Sequence, residues 1–279
     1  MRAVWEVTSA GRCLRVAGPA ALSRWWPRIG PQIPGAARGS LVSVAGHAQV
    51  MLPDDVTAAD ARRWINAHLH CVHLRRDTVS VHGVALAHDD RAVLLLGGHG
   101  AGKSLTGLAL MTGYQWRPVA GDTVLIHVRD RGAPLVIGGT SAYLVRRGEA
   151  RLWFPELPLP VGDGDRVDIS GQPTPGDHPG FRLVGVIQVA VDGGPGGTGL
   201  LARCDEQTAR NAWYRASGHL LDKVLDDHRE DPLRLVEDGE LARRRARLVR
   251  LLAASAGCGW IRGDPHQMAA MISGGPVAR

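Results

Sequence analysis

Short apolar runs bounded by turn-forming residues alternate along this chain with longer segments of helical periodicity. Leu14 and Val16 alternate with polar residues after Gly11, and Val4 precedes it, which predicts a β-hairpin near the start of the chain. The continuous apolar run Ala92–Leu96 is typical of a buried strand. Further strands are predicted at residues 41–44, 78–86, 119–128, 135–138, 183–191 and 260–261.

Other segments carry apolar residues three and four positions apart, which indicates helices. The helix that follows Ser104 is predicted to end at Gly113, since glycine favours the position just after a helix. Thr57 is predicted to cap a helix from Ala58 to about His70, with Asp60 completing a capping box. Helices are also predicted at residues 20–26, ended by Pro27, and at residues 206–226, 240–254 and 265–272.

The order of these elements predicts an α/β protein. Residues 1–75 are expected to form a small α+β region rich in strands, and residues 76–279 a larger core. Residues 155–179 are rich in proline, glycine and aspartate, so they are expected to be mostly loop. The glycine-rich residues 193–199 are expected to be a mobile turn, which is either a plain linker or a lid over a site.

Composition narrows the class of protein. Apolar residues make up 44% of the 279 residues, which is enough for a hydrophobic core. The net charge is +6, but the arginines are scattered and aromatic residues are few, so we expect no nucleic-acid partner. No apolar run approaches membrane-spanning length, and the N-terminus lacks an apolar signal segment, so we expect no membrane partner. The four cysteines show no Cys-x-x-Cys spacing and are expected to be free thiols of a cytoplasmic protein.

The most specific pattern is GGHGAGKS at residues 97–104, which matches the phosphate-binding loop G-x-x-x-x-G-K-[ST]. It lies between the predicted strand Ala92–Leu96 and a predicted helix, which is the order that the pattern requires. Lys103 is one of only two lysines, the other being Lys223, in a chain whose basic residues are otherwise arginines. A compact ammonium reaches terminal phosphates where a guanidinium would crowd the loop.

The loop therefore predicts binding of a nucleotide, with ATP and Mg²⁺ as the expected ligands. Ser104 is expected to place its hydroxyl on the Mg²⁺ ion. The residues expected to contact the nucleotide are Gly97, Gly98, His99, Gly100, Ala101, Gly102, Lys103, Ser104 and Leu105.

Two short segments flank the loop. Ser80-Val81-His82-Gly83-Val84 precedes it, and Val119-Ala120-Gly121-Asp122-Thr123-Val124 follows the predicted helix. With the loop, these segments resemble the HPr kinase/phosphorylase family and its shorter relatives, the HPr-kinase-like serine kinases. The family shows a Ser-x-His-Gly-Val strand, a glycine-rich loop ending in Gly-Lys-Ser, and then Val-Ala-Asp-Asp. The close resemblance covers residues 78–128, which is under a fifth of the chain.

The resemblance implies a mixed α/β kinase core like that of phosphoenolpyruvate carboxykinases, and transfer of the ATP γ-phosphate to a serine hydroxyl. By position, Asp122 matches the second of the family's paired aspartates, as a catalytic residue and a metal ligand. His82 matches the strand histidine that faces the reacting phosphate, and Lys103 and the loop amides would hold phosphates. Shorter relatives modify ribosomally made peptides, so a peptide or protein acceptor is expected. Family members are often oligomers, so a homo-oligomer is an open possibility.

The chain departs from the family at Gly121, which stands where the first aspartate of the pair is found. Asp122 then does one of the two jobs or both, or His82 or His99 accepts the hydroxyl proton instead. Two alternatives stay open at this point. A small-molecule kinase predicts a deep polar pocket beside His82 and Asp122, and a nucleotide-binding regulator or pseudokinase predicts ATP binding without turnover.

Two weaker patterns have simpler interpretations. His70 and His73 lie three residues apart and could share a metal ion, although a wet helix face or a core-lining Cys71 is the simpler interpretation. Residues 240–250 combine five arginines with an apolar stripe, which is typical of a solvated amphipathic helix and less so of a docking face for an acidic peptide.

Overall fold

The computed structural model describes residues 2–37, 39–162, 164–170, 179–192, 199–225 and 236–275. In this part of the chain the protein is a mixed α/β structure with a four-stranded sheet, a nine-stranded sheet and a two-stranded sheet. Among these residues no helix combines the length and the apolar character needed to cross a membrane. Residues 193–198 of the predicted glycine-rich turn, and residues 163 and 171–178 of the predicted long loop, lie outside the described residues.

The first sheet is built by the N-terminal region. Its strands are β1 (Arg2–Ser9), β2 (Arg12–Pro19), β3 (Leu41–Val44) and β4 (Val50–Met51), in the order β3-β1-β2-β4. The predicted hairpin is confirmed: Ala10 and Gly11 have φ angles of 45° and 72° and form a tight turn between β1 and β2. The sheet packs on helices α1 (Leu22–Ile29) and α2 (Ala58–Leu74) through apolar residues that include Val7, Leu14, Val16, Trp26, Ile65 and Leu69.

Both N-terminal helices run further than the sequence predicts. Helix α1 passes through Pro27 and ends at Ile29, so the predicted stop is wrong. Proline removes one helical N–H donor, but the last turn is held in place because Trp26 and Ile29 are buried. Helix α2 starts as predicted, with the Thr57 hydroxyl accepting a hydrogen bond from the Asp60 N–H at 3.2 Å.

The nine-stranded sheet forms the core. Its strands are β5 (Thr78–His82), β6 (Val84–His88), β7 (Arg91–Leu96), β8 (Arg117–Ala120), β9 (Thr123–His127), β10 (Leu135–Gly139), β13 (Phe181–Val191), β14 (Leu200–Arg203) and β15 (Cys258–Gly263). Seven of them run in the order β5-β9-β10-β13-β7-β6-β8, and β15 pairs with both β13 and β14. Strand β13 pairs in parallel with β7 on one side and with β15 on the other. The carboxyl ends of these three strands therefore meet at one edge of the sheet.

Helices cover both faces of this sheet. One face packs on α3 (Lys103–Tyr114) and α7 (Pro265–Gly274), and the other on α2, α5 (Glu206–Leu225) and α6 (Gly239–Ser255). Strand β7 is buried on both faces. Val93 and Leu95 pack on the side of α3 and α7, whereas Leu94 and Leu96 pack on the side of α2, α5 and α6. This two-sided burial explains why the β7 run is continuously apolar rather than alternating.

Two predicted strands are interrupted in the structure. Residues 78–86 form β5 and β6 with a break at Gly83, and residues 119–128 form parts of β8 and β9 with a break at Gly121 and Asp122. The breaks face each other, because β5 pairs with β9 and β6 pairs with β8. The predicted helix end is also wrong: α3 includes Gly113 and ends at Tyr114, and Gln115, with a φ angle of 58°, is the residue that caps it.

Five elements are missing from the sequence prediction. They are β4, β11 (Leu144–Arg146), α4 (Arg147–Trp153), β12 (Arg166–Asp168) and β14. All are short, and every residue of β14 is exposed, so neither apolar alternation nor helical periodicity reveals them. The cysteines are free thiols as expected. Cys204 directly follows β14, and its N–H donates to the carbonyl of Cys258 on β15 at 2.9 Å.

Candidate active site

The glycine-rich loop connects β7 to α3 at the edge where the parallel strands end. Gly97, Gly100 and Gly102 have φ angles of 151°, 77° and 91°, which side chains other than glycine rarely adopt. The loop rests on the end of β13, where the Val191 N–H donates to the Ala101 carbonyl at 2.9 Å. A Cβ atom at Gly102 would lie 2.0 Å from the Val191 side chain. The glycines therefore allow both the turn and its close contact with the sheet.

Lys103 begins α3, and its ammonium folds back into the curve of the loop. It donates to the carbonyl oxygens of Gly97 and Gly98, both at 2.9 Å, and its side chain is buried. Burial lowers the Lys103 pKa to about 8, against the opposing attraction of Asp122. The ammonium thus lies within the curve that the glycines form. In this position it can hold an oxyanion that enters the loop.

The break between β8 and β9 brings His82 and Asp122 together. His82 is the last residue of β5, and the next residue, Gly83, donates its N–H to the Asp122 carbonyl at 2.9 Å. The His82 Nε2 atom lies 3.6 Å from the Asp122 Oδ1 atom. Two of the three residues that the sequence predicts as catalytic, with Lys103 as the third, are therefore neighbours: His82 ends β5, and Asp122 lies in the break before β9.

Thr140 holds the backbone on either side of Asp122. Its buried hydroxyl oxygen accepts hydrogen bonds from the Asp122 N–H at 2.9 Å and the Thr123 N–H at 3.1 Å. Its own N–H donates to the Thr123 carbonyl, and its carbonyl accepts from the Gly121 N–H. Four hydrogen bonds thus fix the orientation of the turn that carries Asp122.

Gly121 has no room for a side chain. A Cβ atom there would lie 2.1 Å from the Ala142 carbonyl oxygen and 2.8 Å from the Tyr143 Cα atom, both of them backbone atoms. An aspartate at this position would require the segment at residues 142–143 to move. The backbone around Gly121 therefore does not suit the first aspartate of the pair that the family resemblance implies at this position.

Helix α5 supplies two site residues that the sequence analysis missed, His219 and Lys223. The His219 ring stacks on the His82 ring with centroids 3.9 Å apart and an interplanar angle of 18°. Lys223 follows one helical turn later and lines the cavity that His82 and His219 also line. A signal for Lys223 was available, since it is the only other lysine in an arginine-rich chain.

Charge in the site is organised around the Asp122 carboxylate. Burial alone would raise the pKa of Asp122, but Lys223, His82, His219 and Lys103 together lower it. Burial lowers the pKa of His82 to about 4, and nearby Lys103 adds to this effect. Burial and the adjacent His82 lower the pKa of His219 to about 3. At neutral pH the site therefore contains an ionised carboxylate, two neutral imidazoles and two ammonium groups.

Two cavities meet at this cluster. The loop cavity, of about 370 Å³, is lined by the residues 100–105 of the loop and helix α3, by Gly121 and by Glu149 and Trp153 of α4. The helix cavity, of about 270 Å³, lies between α2 and α5 and is lined by residues that include Arg62, Arg63, Asn66, His219 and Lys223. His82, His99, Asp122, Leu144 and Arg166 line both cavities.

Residues of the loop take different positions in these cavities. Ser104 and Leu105 line the loop cavity, as the sequence predicts for nucleotide contacts. His99 is exposed at the boundary of the two cavities, and an Arg166 Nη2 atom lies 3.3 Å from its Nε2 atom. That contact occupies a ring nitrogen of His99, so His82 is the better placed proton acceptor.

Oxygen ligands for Mg²⁺ are available in the loop cavity, which is lined by both the ionised Asp122 and Ser104. Ligand atoms of His82, Asp122 and His219 also lie within 4.8 Å of one another, as in a site for a transition metal. Among the described residues, this is the only group of three or more such ligands. The ammonium groups of Lys103 and Lys223 next to Asp122 oppose a second cation there.

The weaker patterns of the sequence have structural roles. His73 Nε2 lies 2.8 Å from the Ser9 hydroxyl, and buried His70 faces Glu237, so the two rings serve separate contacts. On α6, Arg245 is buried and forms a bidentate ion pair with Glu237. The helix is amphipathic as predicted, with a buried apolar stripe.

The chain matches no protein-family model and no curated protein sequence. The geometry of the two cavities is therefore the basis for interpreting the site.

A substitution of Gly121 tests the crowding around the strand break. Gly121→Ala should lower the free energy of unfolding by about 2 kcal/mol or more, because its Cβ atom has only backbone to displace. Gly113→Ala is the matched control, since a Cβ atom there meets nothing within 4 Å and the residue lies in α3. Alanine at position 113 should stabilise by roughly 0.5–1 kcal/mol. Chemical denaturation of both variants measures the difference, and equal effects would contradict the described packing.

Thr140 provides a test of how the Asp122 turn is held. Thr140→Val keeps the side-chain shape but leaves the N–H groups of Asp122 and Thr123 without their acceptor, so we expect a loss of roughly 2–4 kcal/mol in unfolding free energy. Thr140→Ser retains the hydroxyl and should lose about 1 kcal/mol. Denaturant titrations compare the unfolding free energies of the two variants. If Thr140→Val were more stable than Thr140→Ser, the hydroxyl would not be what holds the turn.

Proposed function

We propose that this protein is a kinase that uses ATP and Mg²⁺ to phosphorylate a hydroxyl group. The observation that carries the proposal is that two cavities meet at His82 and Asp122, one walled by the glycine-rich loop and the other by two helices. Phosphoryl transfer requires a nucleotide and an acceptor that meet at a proton-accepting group. The resemblance of residues 78–128 to HPr-kinase-like serine kinases supports the same reaction, and with it a core of the phosphoenolpyruvate-carboxykinase type.

In this proposal the loop cavity takes ATP. The N–H groups of the loop and of the first turn of α3 face the phosphates, and Lys103 exchanges its two loop carbonyl partners for phosphate oxygens. Mg²⁺ bound with the nucleotide neutralises phosphate charge, and Asp122 and Ser104 are the oxygen ligands that the chain offers to it. Both residues line the loop cavity.

The acceptor hydroxyl approaches from the helix cavity. Its oxygen forms a bond to the γ-phosphorus while the bond between that phosphorus and the oxygen bridging to the β-phosphate breaks, which leaves ADP. The hydroxyl proton passes to the Asp122 carboxylate or to the neutral Nε2 atom of His82, which lie 3.6 Å apart. Neither group is a strong base, since both pKa values are low. A loose transition state needs little base strength, so positioning and charge dominate the rate.

The shape of the helix cavity bears on the acceptor. A cavity of about 270 Å³ has room for roughly nine water molecules. This supports a small hydroxyl compound, or one serine-type residue of a peptide, more than a broad protein surface. A small-molecule kinase is therefore the second candidate function, favoured by the enclosed polar cavity beside His82 and Asp122.

The regulator alternative rests on Gly121 and is weakened by the surroundings of Asp122. The remaining carboxylate is ionised and has two neutral imidazoles and two ammonium groups as neighbours. Such a set offers proton acceptors and cations for phosphate without a second aspartate. We accordingly favour an active enzyme.

Substitution of two residues tests the reaction. Asp122→Asn should reduce phosphate transfer by about 10²–10⁴-fold, because it removes a negative charge and a proton acceptor. Lys103→Ala should abolish transfer by weakening ATP binding. Asp130→Asn, at an exposed carboxylate outside both cavities, is the control.

The measurement is intact-mass spectrometry of acceptor mixtures, including hydroxy acids, sugars and serine peptides, incubated with Mg²⁺ and ATP. A mass gain of one phosphate that disappears in Lys103→Ala supports the kinase. Binding of ATP without any transfer would instead favour the nucleotide-binding regulator.

The lowered pKa of Lys103 predicts how nucleotide affinity depends on pH. Below its pKa of about 8 the ammonium is charged and can pair with phosphates, whereas above that value the free protein loses this charge. ADP affinity should therefore fall about tenfold between about pH 7 and about pH 9. Calorimetric titration measures it, with Lys103→Ala as the comparison. The variant should bind weakly and lack this decline, and equal slopes would contradict the assignment.

A further inference from the structure

The helix cavity is unusually rich in positive charge. Arg62 and Arg63 reach it from α2, Lys223 from α5 and Arg166 from β12. Asp122 is the single carboxylate among the described residues that line it. Like charges that share a small cavity repel one another, so an arrangement of this kind stores electrostatic energy that a bound anion can relieve.

Local partners neutralise only part of this charge. Arg63 pairs with Asp60 at 3.0 Å, but both side chains are about one-third exposed, so the pair is weak. Arg62 donates to the neutral side-chain oxygen of Gln32. Burial lowers the pKa of Lys223, Asp122 opposes this shift, and the positive charges of Arg62, Arg63 and Arg166 add to it. Excess positive charge therefore remains on the wall of the cavity.

The basic side chains on α2 and α5 lie apart from the loop cavity in which the nucleotide is proposed to bind. Arg62, Arg63 and Lys223 line the helix cavity but not the loop cavity. The loop cavity has cations of its own in Lys103 and Arg146. The charge on α2 and α5 is therefore available for a second ligand that enters from the helix side, beyond Asp122.

We propose that the helix cavity binds an acceptor that carries a carboxylate or phosphate group, held by Arg62 and Lys223, with its hydroxyl directed to Asp122. The identification of the ligand as an acceptor rests on the proposed kinase function. Guanidinium and ammonium groups recognise these oxyanions by charge-assisted hydrogen bonds. The cavity volume limits the acceptor to a small hydroxy compound, or to a single hydroxyl residue of a peptide with its anionic group close by.

Matched acceptor pairs test the proposal. The full-length protein is incubated with Mg²⁺ and ATP and with serine or serinamide, with glycerol 3-phosphate or glycerol, and with short serine peptides that carry a neighbouring glutamate or glutamine. Phosphate transfer should be about 10- to 100-fold faster to the anionic member of a productive pair. A difference within the small-molecule pairs would indicate a small anionic compound as the acceptor. A difference within the peptide pair would indicate a peptide with an anionic group close to its hydroxyl. Equal rates within each productive pair would overturn the proposal.

Two variants locate the anion. Arg62→Gln and Lys223→Met should each raise KM for the anionic acceptor by about 10- to 100-fold, with a smaller effect on kcat and no change in ADP affinity. Arg24→Gln, at an exposed arginine of α1 that lines neither cavity, is the matched control. If Arg62→Gln lowered the affinity for ADP, Arg62 would bind a phosphate of the nucleotide and not the anionic group of the acceptor. That result would contradict the proposal.

A binding measurement separates failure of this proposal from failure of the kinase function. Inorganic phosphate is titrated into the protein saturated with ADP, and the Arg62→Gln and Lys223→Met variants are compared with wild type. Phosphate binding that both variants lose, in a protein that phosphorylates no acceptor, would support the anion site and refute the kinase. The absence of phosphate binding to wild type, or phosphate binding by both variants that is as tight as by wild type, would refute the anion site whatever the catalytic result.

Discussion

The site depends on one interruption of the regular pairing between strands. Strands β5 and β6 would form a continuous ladder with β9 and β8, but the pairing stops at Gly83 on one side and at Gly121 and Asp122 on the other. Both glycines lie against other backbone, namely the Leu95 carbonyl and the segment at residues 142–143. A regular ladder would fix His82 and Asp122 by strand alternation alone. The interruption lets both side chains reach the point where the two cavities meet.

Much of the parallel core could be predicted because its signals are local. The apolar run of β7, the glycines after it and the helical spacing of α3 occupy consecutive residues and require one another sterically. The breaks at Gly83 and Gly121 could not be predicted, because they depend on backbone from distant segments. The end of α3 was misplaced for a similar reason: Gln115 adopts a left-handed conformation that single-residue preferences assign to Gly113.

The residues of the candidate site also fall into those that local sequence identifies and those that depend on long-range packing. Lys103, His82 and Asp122 lie in or near the loop pattern, and the sequence identifies them. His219 and Lys223 approach from a helix about a hundred residues later, and tertiary packing alone decides which face of α5 meets His82. The rarity of lysine in this chain pointed to Lys223, whereas the composition offers no comparable signal for a histidine among twelve. Long-range packing thus determines half of the site.

The N-terminal region takes part in the site through its backbone and its side chains. The Ala142 N–H donates to the Pro31 carbonyl at 3.0 Å, and the Gly35 N–H donates to the Gly139 carbonyl at 2.8 Å. Helix α2 adds a wall of the helix cavity, whereas the loop cavity is built from residues 82–191 alone. Changes in α2 can therefore alter the lining of the helix cavity while the glycine-rich loop stays intact. Such a division lets the same loop framework accompany different cavity linings, because α2 lies in a region that lacks the loop pattern altogether.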